Sequence, residues 1–166
     1  MKRIFKYYIT ATALTAVTSL LIAMTVHAAE PVIVPDDVKE ISEELGAQYN
    51  ICPELIQAIC WRESRFRPDV ESGGCVGIMQ VSPRWHQDRM DKLGVTDIMD
   101  TRQNMTVAVD YLSDLLKEGE DMEIPLMRYH GESRIGERLD AGEMSEYVEA
   151  VLTLSAQLEH MNEGGK

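Results

Sequence analysis

Apolar residues recur at helical spacing through most of this 166-residue chain, and this periodicity limits the possible folds more than any other feature. Val38, Ile41 and Leu45 are spaced as on one face of an α-helix. The same pattern returns in three later segments, at about 53–65, 104–118 and 145–158. No segment shows the convincing alternation of apolar and polar residues that is typical of a half-buried strand. The sequence therefore predicts an all-α fold.

Serine, proline and glycine mark the ends of further helices. Ser82-Pro83 is typical of an N-cap followed by the first helical residue, and it predicts a helix that ends near Gly94. Pro125 predicts the start of a short helix, and Ser145 the cap of the last one. Because no internal repeat or Gly/Ser-rich linker interrupts this series, we expect residues 30–166 to form a single globular helical domain.

The first 29 residues form a separate segment. Three basic residues at positions 2, 3 and 6 precede an uncharged run at 7–26, and small residues follow it. Such a segment is typical of an export signal. A run of about 20 residues is also long enough to span a bilayer, so the segment is either a cleaved signal peptide or a retained N-terminal membrane anchor. Both interpretations place the rest of the protein outside the cytoplasmic membrane, where it is either part of the cell envelope or secreted.

Charge and cysteine content exclude some function classes. The chain has 28 Asp+Glu against 16 Lys+Arg and a net charge of −12, whereas binding to a phosphate backbone needs clustered cations. We therefore expect no nucleic-acid partner. Cys52, Cys60 and Cys75 lack the spacing of a zinc site, and an odd number cannot all pair within one chain. The sequence predicts neither a metal nor a cofactor, and Cys60 is expected in the core.

The residues that carry chemistry are concentrated at 59–80. Ile56, Cys60 and Glu63 are spaced so that the Glu63 carboxylate leaves the apolar side of a helix. A carboxyl held against apolar groups keeps its proton more readily, as a general acid near neutral pH must. Alternatively, Glu63 pairs with a neighbouring arginine at the helix end, and periodicity alone does not decide between the two. The neighbouring arginines are Arg62, Arg65 and Arg67.

A glycine-rich loop follows this helix. Ser72-Gly73-Gly74 and Gly77 predict a tight turn in which the backbone comes close to a ligand or to another element. Met79 and Gln80 would then lie beside the acid. The same residues would also serve as a plain connection between two helices with Met79 in the core, and the loop on its own leaves both interpretations open.

Taken together, these motifs resemble the lytic transglycosylase domain of the soluble lytic transglycosylase type, which is related in fold to goose-type lysozyme. The family pattern Glu-Ser-x-Phe appears as Glu63-Ser64-Arg65-Phe66, and its Ser-x-x-Gly-Ala-x-Gly-Leu-Met-Gln pattern corresponds to residues 72–80. Three later family elements follow in order, at Asn104 to Leu112, at Arg128-Tyr129-His130-Gly131 and at Tyr147-Val148. The resemblance covers roughly residues 38–158.

The resemblance implies a lysozyme-like fold and an enzyme that acts on the glycan strands of peptidoglycan. Such an enzyme cleaves the β-1,4 bond between N-acetylmuramic acid and N-acetylglucosamine and leaves 1,6-anhydromuramic ends. Carried over by position, Glu63 would be the catalytic acid and base, and Ser72 a hydrogen-bonding neighbour of its carboxyl. Gln80 and Tyr129 would hold the sugar or polarise the site, and Met79 would line the groove. The chain departs from the pattern at several positions, with His130 standing where the family has asparagine.

Other functions stay open at this point. A lysozyme-like hydrolase would need a second carboxylate near Glu63; Asp69, Glu71 and Asp88 are near in sequence, but the resemblance assigns none of them a role. A non-catalytic peptidoglycan-binding module and an adaptor in an envelope complex are the non-enzymatic alternatives. The sequence does not separate wall turnover from a secretion, conjugation or phage-entry setting, and membrane contact is expected only through the N-terminal segment.

Overall fold

The computed structural model describes residues 32–118, 121–143 and 145–164. By its internal contacts the chain divides into Met1–Ile33 and Val34–Lys166, and all the elements below belong to the second unit. The predicted signal or anchor at 1–29 lies outside the described residues. None of the helices in the described ranges has the length and apolar character needed to cross a membrane.

The described residues form seven α-helices and one very small hairpin. The helices are α1 (Asp36–Tyr49), α2 (Pro53–Ser64), α3 (Pro83–Leu93), α4 (Thr101–Leu116), α5 (Glu123–Tyr129), α6 (Ile135–Asp140) and α7 (Glu146–Gly164). Strands β1 (Glu71–Ser72) and β2 (Cys75–Val76) pair antiparallel between α2 and α3. The predicted all-α fold is therefore confirmed.

Helix α2 lies at the centre of this arrangement. It packs against α1 on one side and α7 on the other, while α4 contacts α1 and α5. Its residues Ile56, Ile59 and Cys60 are all 0% exposed, so the predicted core position of Cys60 is confirmed. A helix surrounded in this way offers solvent access mainly near its ends, and Glu63 lies next to the last residue of α2.

Several helix ends follow the signals in the sequence. Ser82 is the N-cap of α3 and Pro83 its first residue, although the Ser82 side chain makes no capping hydrogen bond. Gly94 ends this helix in a left-handed conformation (φ 69°). Helix α4 begins three residues before the predicted position 104, because the Asp100 side chain accepts a hydrogen bond from the Gln103 amide and caps an earlier turn.

Candidate active site

The C-terminal end of α2 is tied to the loop that follows the hairpin. The Ser64 hydroxyl, which is buried, donates to the Ile78 carbonyl at 2.7 Å. Arg65 and Phe66 then adopt left-handed conformations (φ 58° and 61°), which turn the chain sharply away from the helix. The carboxyl of Glu63 is therefore held at the junction of α2 and the 77–80 loop.

Asn104 on α4 holds the same loop from the other side. Its Oδ1 accepts from the Met79 amide at 2.9 Å, and its Nδ2 donates to the carbonyls of Val76 at 2.9 Å and Ile98 at 3.0 Å. Gly77 has φ +80°, and a Cβ atom there would lie 2.2 Å from the Asn104 Nδ2. The close approach predicted for this glycine is thus an approach to another element of the fold.

Tyr147 on α7 is bonded directly to the predicted acid. Its hydroxyl donates to Oε1 of Glu63 at 2.6 Å, and its side chain is buried. The His130 ring stacks on the Tyr147 ring, with centroids 4.0 Å apart and planes 7° from parallel. Tyr147 was not among the predicted site residues, although the family pattern marks it as the start of the closing Tyr-Val element.

Burial dominates the electrostatic environment of Glu63. It raises the pKa of this carboxyl above its ordinary value, while the Tyr147 hydrogen bond and the electrostatic effects of His130 and Arg62 act in the opposite direction with smaller effect. Tyr147 occupies Oε1, so Oε2 is the oxygen that can carry the proton. This combination of burial, raised pKa and fixed orientation is what a proton donor near neutral pH requires.

The alternative interpretation, an ion pair between Glu63 and a neighbouring arginine, does not describe this geometry. Arg65 lies over the Trp61 ring at 4.4 Å from its centroid, and the Arg67 Nε donates to the Ser64 carbonyl at 3.0 Å. Within the described part of the chain, no ion pair within 4.0 Å includes Glu63. Arg62 acts on it only through its charge.

Tyr129 is the second predicted residue that the fold brings to this site. Its hydroxyl donates to the Met79 carbonyl at 2.9 Å. Burial and then the negative charge of Glu63 raise the Tyr129 pKa well above its ordinary value, so the phenol stays protonated and lies close enough to sense that carboxyl. Tyr129 thereby fixes the loop beside Glu63.

Gln80 and Met79 both serve the loop itself in this structure. The Gln80 Nε2 donates to the carbonyls of Val70 at 3.0 Å and Gly77 at 2.9 Å, with the backbone at φ 49°. Met79 is 0% exposed, so its side chain packs in the core and does not line an open groove. Its backbone, bonded to Asn104 and Tyr129, is the part that shapes the site.

Ser72 lies apart from the acid. It is exposed in β1, and no hydrogen bond joins it to Glu63 among the residues that the structure describes. Burial and then the Glu63 charge raise the pKa of Cys75, the partner of Ser72 in the hairpin, so Cys75 lies within electrostatic range of that carboxyl.

The described residues contain one group with the composition of a metal site, and it lies elsewhere. The ligand atoms of Cys52, Glu54 and Glu159 lie within 4.8 Å of one another, and the Cys52 thiol donates to both carboxylates at 3.1 and 3.2 Å. Cys52 lies just before the first residue of α2, and Glu63 lies near the last one. The length of the helix therefore separates the two residues by about 16 Å. This group takes no part in the chemistry at Glu63.

Comparison with known proteins shows which sequences this chain is similar to. The sequence model described as the transglycosylase SLT domain matches residues 40–144, more than half of the chain. The chain is 35% identical over 87 residues to a protein named "Transglycosylase" from Enterobacteria phage PRD1, a match that covers 52% of this chain and 31% of that protein.

A second relative is cellular. The chain is 36% identical over 91 residues to "Membrane-bound lytic murein transglycosylase F" from Desulfosudis oleivorans. This match covers 54% of this chain and 19% of that protein. In both cases the matched region spans less than a third of the relative's own length.

Proposed function

Because the chain belongs to the transglycosylase SLT domain family, we propose that it is a peptidoglycan lytic transglycosylase with Glu63 as its general acid and base. One observation carries the proposal for Glu63. Its carboxyl is half-buried at the end of a core helix, has a raised pKa and is held by the Tyr147 hydroxyl at 2.6 Å. A surface carboxylate at a helix end would show none of these features.

The first chemical step breaks the β-1,4 bond between N-acetylmuramic acid and N-acetylglucosamine. Protonated Glu63 gives its proton from Oε2 to the glycosidic oxygen, which leaves as the 4-hydroxyl of the N-acetylglucosamine. The acetamido oxygen of the muramic acid bonds to its own C1 and stabilises the oxocarbenium-like centre. No nucleophile from the enzyme is then needed.

The second step uses the same residue as a base. Glu63, now a carboxylate, takes the proton from the 6-hydroxyl of the muramic acid, and O6 bonds to C1 as the bond to the acetamido oxygen breaks. The product is a 1,6-anhydromuramic end, Glu63 has regained its proton and no water is consumed. The Tyr147 hydrogen bond stabilises the carboxylate between the two steps.

A lysozyme-like hydrolase is the second candidate function. A retaining or inverting glycosidase places a second carboxyl within about 5–9.5 Å of the first. Asp69, Glu71 and Asp88, the acids near Glu63 in sequence, are not among the groups that shift the Glu63 pKa. Glu132, Glu143 and Glu146 line a cavity together with Tyr147, so the identity of the products separates the two reactions.

The experiment is mass spectrometry of the soluble products released from purified peptidoglycan by the full chain. We expect muropeptides with 1,6-anhydro ends, and their loss by a factor of about 10³ or more in Glu63→Gln, because the amide cannot donate a proton. Glu149→Gln is the matched control, since Glu149 is exposed on α7. Reducing ends, or full activity in Glu63→Gln, would overturn the proposal. Binding without products would indicate a non-catalytic peptidoglycan-binding module.

We propose further that the protein acts in the cell envelope. The substrate lies there, one relative is named as membrane-bound, and the uncharged run at 7–26 after three basic residues is typical of an export signal or anchor. Fractionation of cells that express the full chain tests this. Recovery of the protein in the cytosol, with its first 29 residues intact, would contradict export.

A further inference from the structure

His130 departs from the family pattern, in which asparagine occupies this position. Its ring lies face to face with the Tyr147 ring, with centroids 4.0 Å apart and planes 7° from parallel. Tyr147 is buried, whereas the His130 side chain is 44% exposed, so the imidazole lies between the tyrosine ring and solvent. An asparagine has no ring and could not make this stack. The contact is therefore a property of the histidine in this chain.

The backbone around His130 is fixed by the end of α5. Gly131 follows it in a left-handed conformation (φ 77°). The Gly131 amide donates to the Arg128 carbonyl at 3.0 Å, and the Glu132 amide donates to the Met127 carbonyl at 2.9 Å. This pair of bonds is the Schellman pattern of a helix end, which glycine at this position favours. His130 and Glu132 are thus held in a defined position relative to α5.

The Glu132 carboxylate contacts both the imidazole and the start of α7. Its side chain is only 10% exposed, and its Oε1 lies 3.5 Å from the His130 Nδ1. The same Oε1 accepts a hydrogen bond from the Ser145 hydroxyl. Ser145 is buried, and its Oγ accepts in turn from the Val148 amide at 3.3 Å. Since Tyr147 lies between Ser145 and Val148 in the chain, one carboxylate helps to fix both its backbone and its ring.

Other charged groups lie around this pair. A cavity of about 580 Å³ beside the two rings also has Arg62, Arg138, Glu143 and Glu146 in its lining. Arg138 donates to Oε2 of Glu132, and its Nε lies 3.7 Å from Glu143. The Glu132 carboxylate is therefore held on both oxygens. Because the imidazole lines the same cavity, a direct contact with the substrate is the competing role for the histidine.

The stack matters because of the bond that Tyr147 makes with its hydroxyl. This hydroxyl donates to Oε1 of Glu63 at 2.6 Å. Burial and then the Glu63 charge raise the Tyr147 pKa well above its ordinary value, so the phenol stays protonated and remains a donor. The hydroxyl is the atom of the side chain farthest from the backbone, so a small tilt of the ring displaces it more than any other atom. Such a displacement would release the Glu63 carboxyl from its orientation.

We propose that His130, held by Glu132, is a positioning residue for bond cleavage, because its ring keeps the Tyr147 ring in the orientation that directs the Glu63 carboxyl. In this assignment His130 touches none of the reacting atoms. The inference rests on the proposed function and adds to it a residue that acts through Tyr147, at a position where the family pattern has a side chain that cannot stack.

Steady-state kinetics of the full chain on isolated glycan strands test the proposal. His130→Ala should lower kcat roughly tenfold, because the Tyr147 ring loses its stack, with KM changed by less than about twofold. His130→Phe should restore most of kcat, since phenylalanine also offers a flat ring. His160→Ala is the matched control, because His160 is exposed on α7.

Three results of these kinetics would overturn the proposal. An unchanged kcat in His130→Ala would show that the stack has no effect on cleavage. A raised KM with unchanged kcat would indicate that His130 contacts the substrate directly. A failure of His130→Phe to recover activity would show that the ring itself is not what the reaction needs.

A double-mutant cycle with Tyr147→Phe tests whether His130 acts through the tyrosine. Tyr147→Phe keeps the ring and removes the hydroxyl, so the orientation of the ring no longer affects Glu63. In that background His130→Ala should lower kcat by less than about twofold. Equal effects in the two backgrounds would refute the proposal, because a direct electrostatic effect of His130 on Glu63 does not need the hydroxyl. Thermal melts of all variants confirm that each is folded.

The products separate this inference from the proposed function. 1,6-Anhydro ends together with equal effects of His130→Ala in the two backgrounds would leave the transglycosylase standing and refute the positioning role. Reducing ends together with the expected loss of the His130→Ala effect in Tyr147→Phe would refute the transglycosylase and retain the positioning role.

Discussion

The proton on Glu63 depends on opposing effects of its neighbours. Burial raises the pKa of the carboxyl, and the Tyr147 hydrogen bond, His130 and Arg62 reduce that rise. Tyr147 therefore has two functions in our account, because it orients the carboxyl through Oε1 and stabilises its charged form. The orientation serves both chemical steps, while the stabilisation matters between them, when Glu63 is a carboxylate.

Tyr147→Phe separates these functions. The variant removes a hydrogen bond that lowers the Glu63 pKa, so that pKa rises further and the alkaline limb of the kcat/KM profile moves to higher pH. We expect kcat to fall by roughly 10–100-fold as the carboxyl loses its orientation. The pH profile on glycan strands measures both effects. An alkaline limb that moves to lower pH would contradict this assignment.

Glu63 also links stability to pH. Its pKa is raised by folding, so its contribution to stability is fully present below the unfolded-state pKa and is lost as the pH rises through the folded-state pKa. Glutamine at position 63 does not ionise, so the Glu63→Gln variant avoids this loss of stability. We expect it to have a higher melting temperature than the wild type at alkaline pH, and the difference between the two should become smaller towards acidic pH. Thermal melts of both proteins across this range test the sign, and a lower melting temperature for Glu63→Gln at alkaline pH would contradict it.

At the scale of elements, one buried side chain ties α4 to the loop beside Glu63. Asn104 is 0% exposed and links α4 to three backbone groups around the loop. Such a contact cannot be read from local sequence, because Asn104 and Met79 are 25 residues apart. The position of the Asn104 side chain also explains why a glycine is required at position 77, where any Cβ would collide with the side-chain amide of Asn104.

Asn104→Ala should leave the Met79 amide and the Ile98 carbonyl without their side-chain partner, while the Val76 carbonyl keeps its bond from the Val81 amide. We expect the free energy of unfolding to fall by about 2–4 kcal/mol, and activity to fall with it as the loop loses its position. Thr106→Ala on the same helix is the control, since its hydroxyl bonds only a carbonyl within α4. Denaturant titrations measure the difference; equal stabilities of the two variants would contradict the role given to Asn104.

The sequence predicts the helices that have a buried face or clear end signals, as Ser82-Pro83 and Gly94 give for α3, and misses elements that have neither. Helix α6 contains no buried residue and thus no apolar stripe. The β1–β2 hairpin has two residues per strand, too few to alternate. Helical spacing predicted that Glu63 is at least partly buried, as it is, but its contact with Tyr147 joins residues 84 positions apart. The family resemblance placed Tyr147 in the closing Tyr-Val element but predicted no contact with Glu63.

At the scale of the whole molecule, the described structure is held together by packing without disulfide bonds. Cys52 is exposed, Cys60 is buried and Cys75 is intermediate, and all three are free thiols. Burial and hydrogen bonds to the neighbouring carboxylates raise the pKa of Cys52 to about 11, so even this exposed thiol is mostly protonated near neutral pH. The stability of the fold should therefore not depend on redox conditions.

Thiol titration tests this picture. The native protein should react slowly at Cys52 and Cys75 and not at Cys60, which becomes reactive only on unfolding. Melting temperature and activity should be the same with and without reductant. A fall of melting temperature on adding reductant would show a disulfide that our account does not contain.

The central claim is that Glu63 drives bond cleavage without water, and the source of oxygen in the products tests it most directly. Peptidoglycan digested by the full chain in H₂¹⁸O should yield muropeptides with 1,6-anhydro ends and no ¹⁸O at the new muramic acid terminus, because O6 of the same sugar closes the ring. Incorporation of one ¹⁸O at C1 from the first turnover onward would mean that water attacks, and would contradict the account.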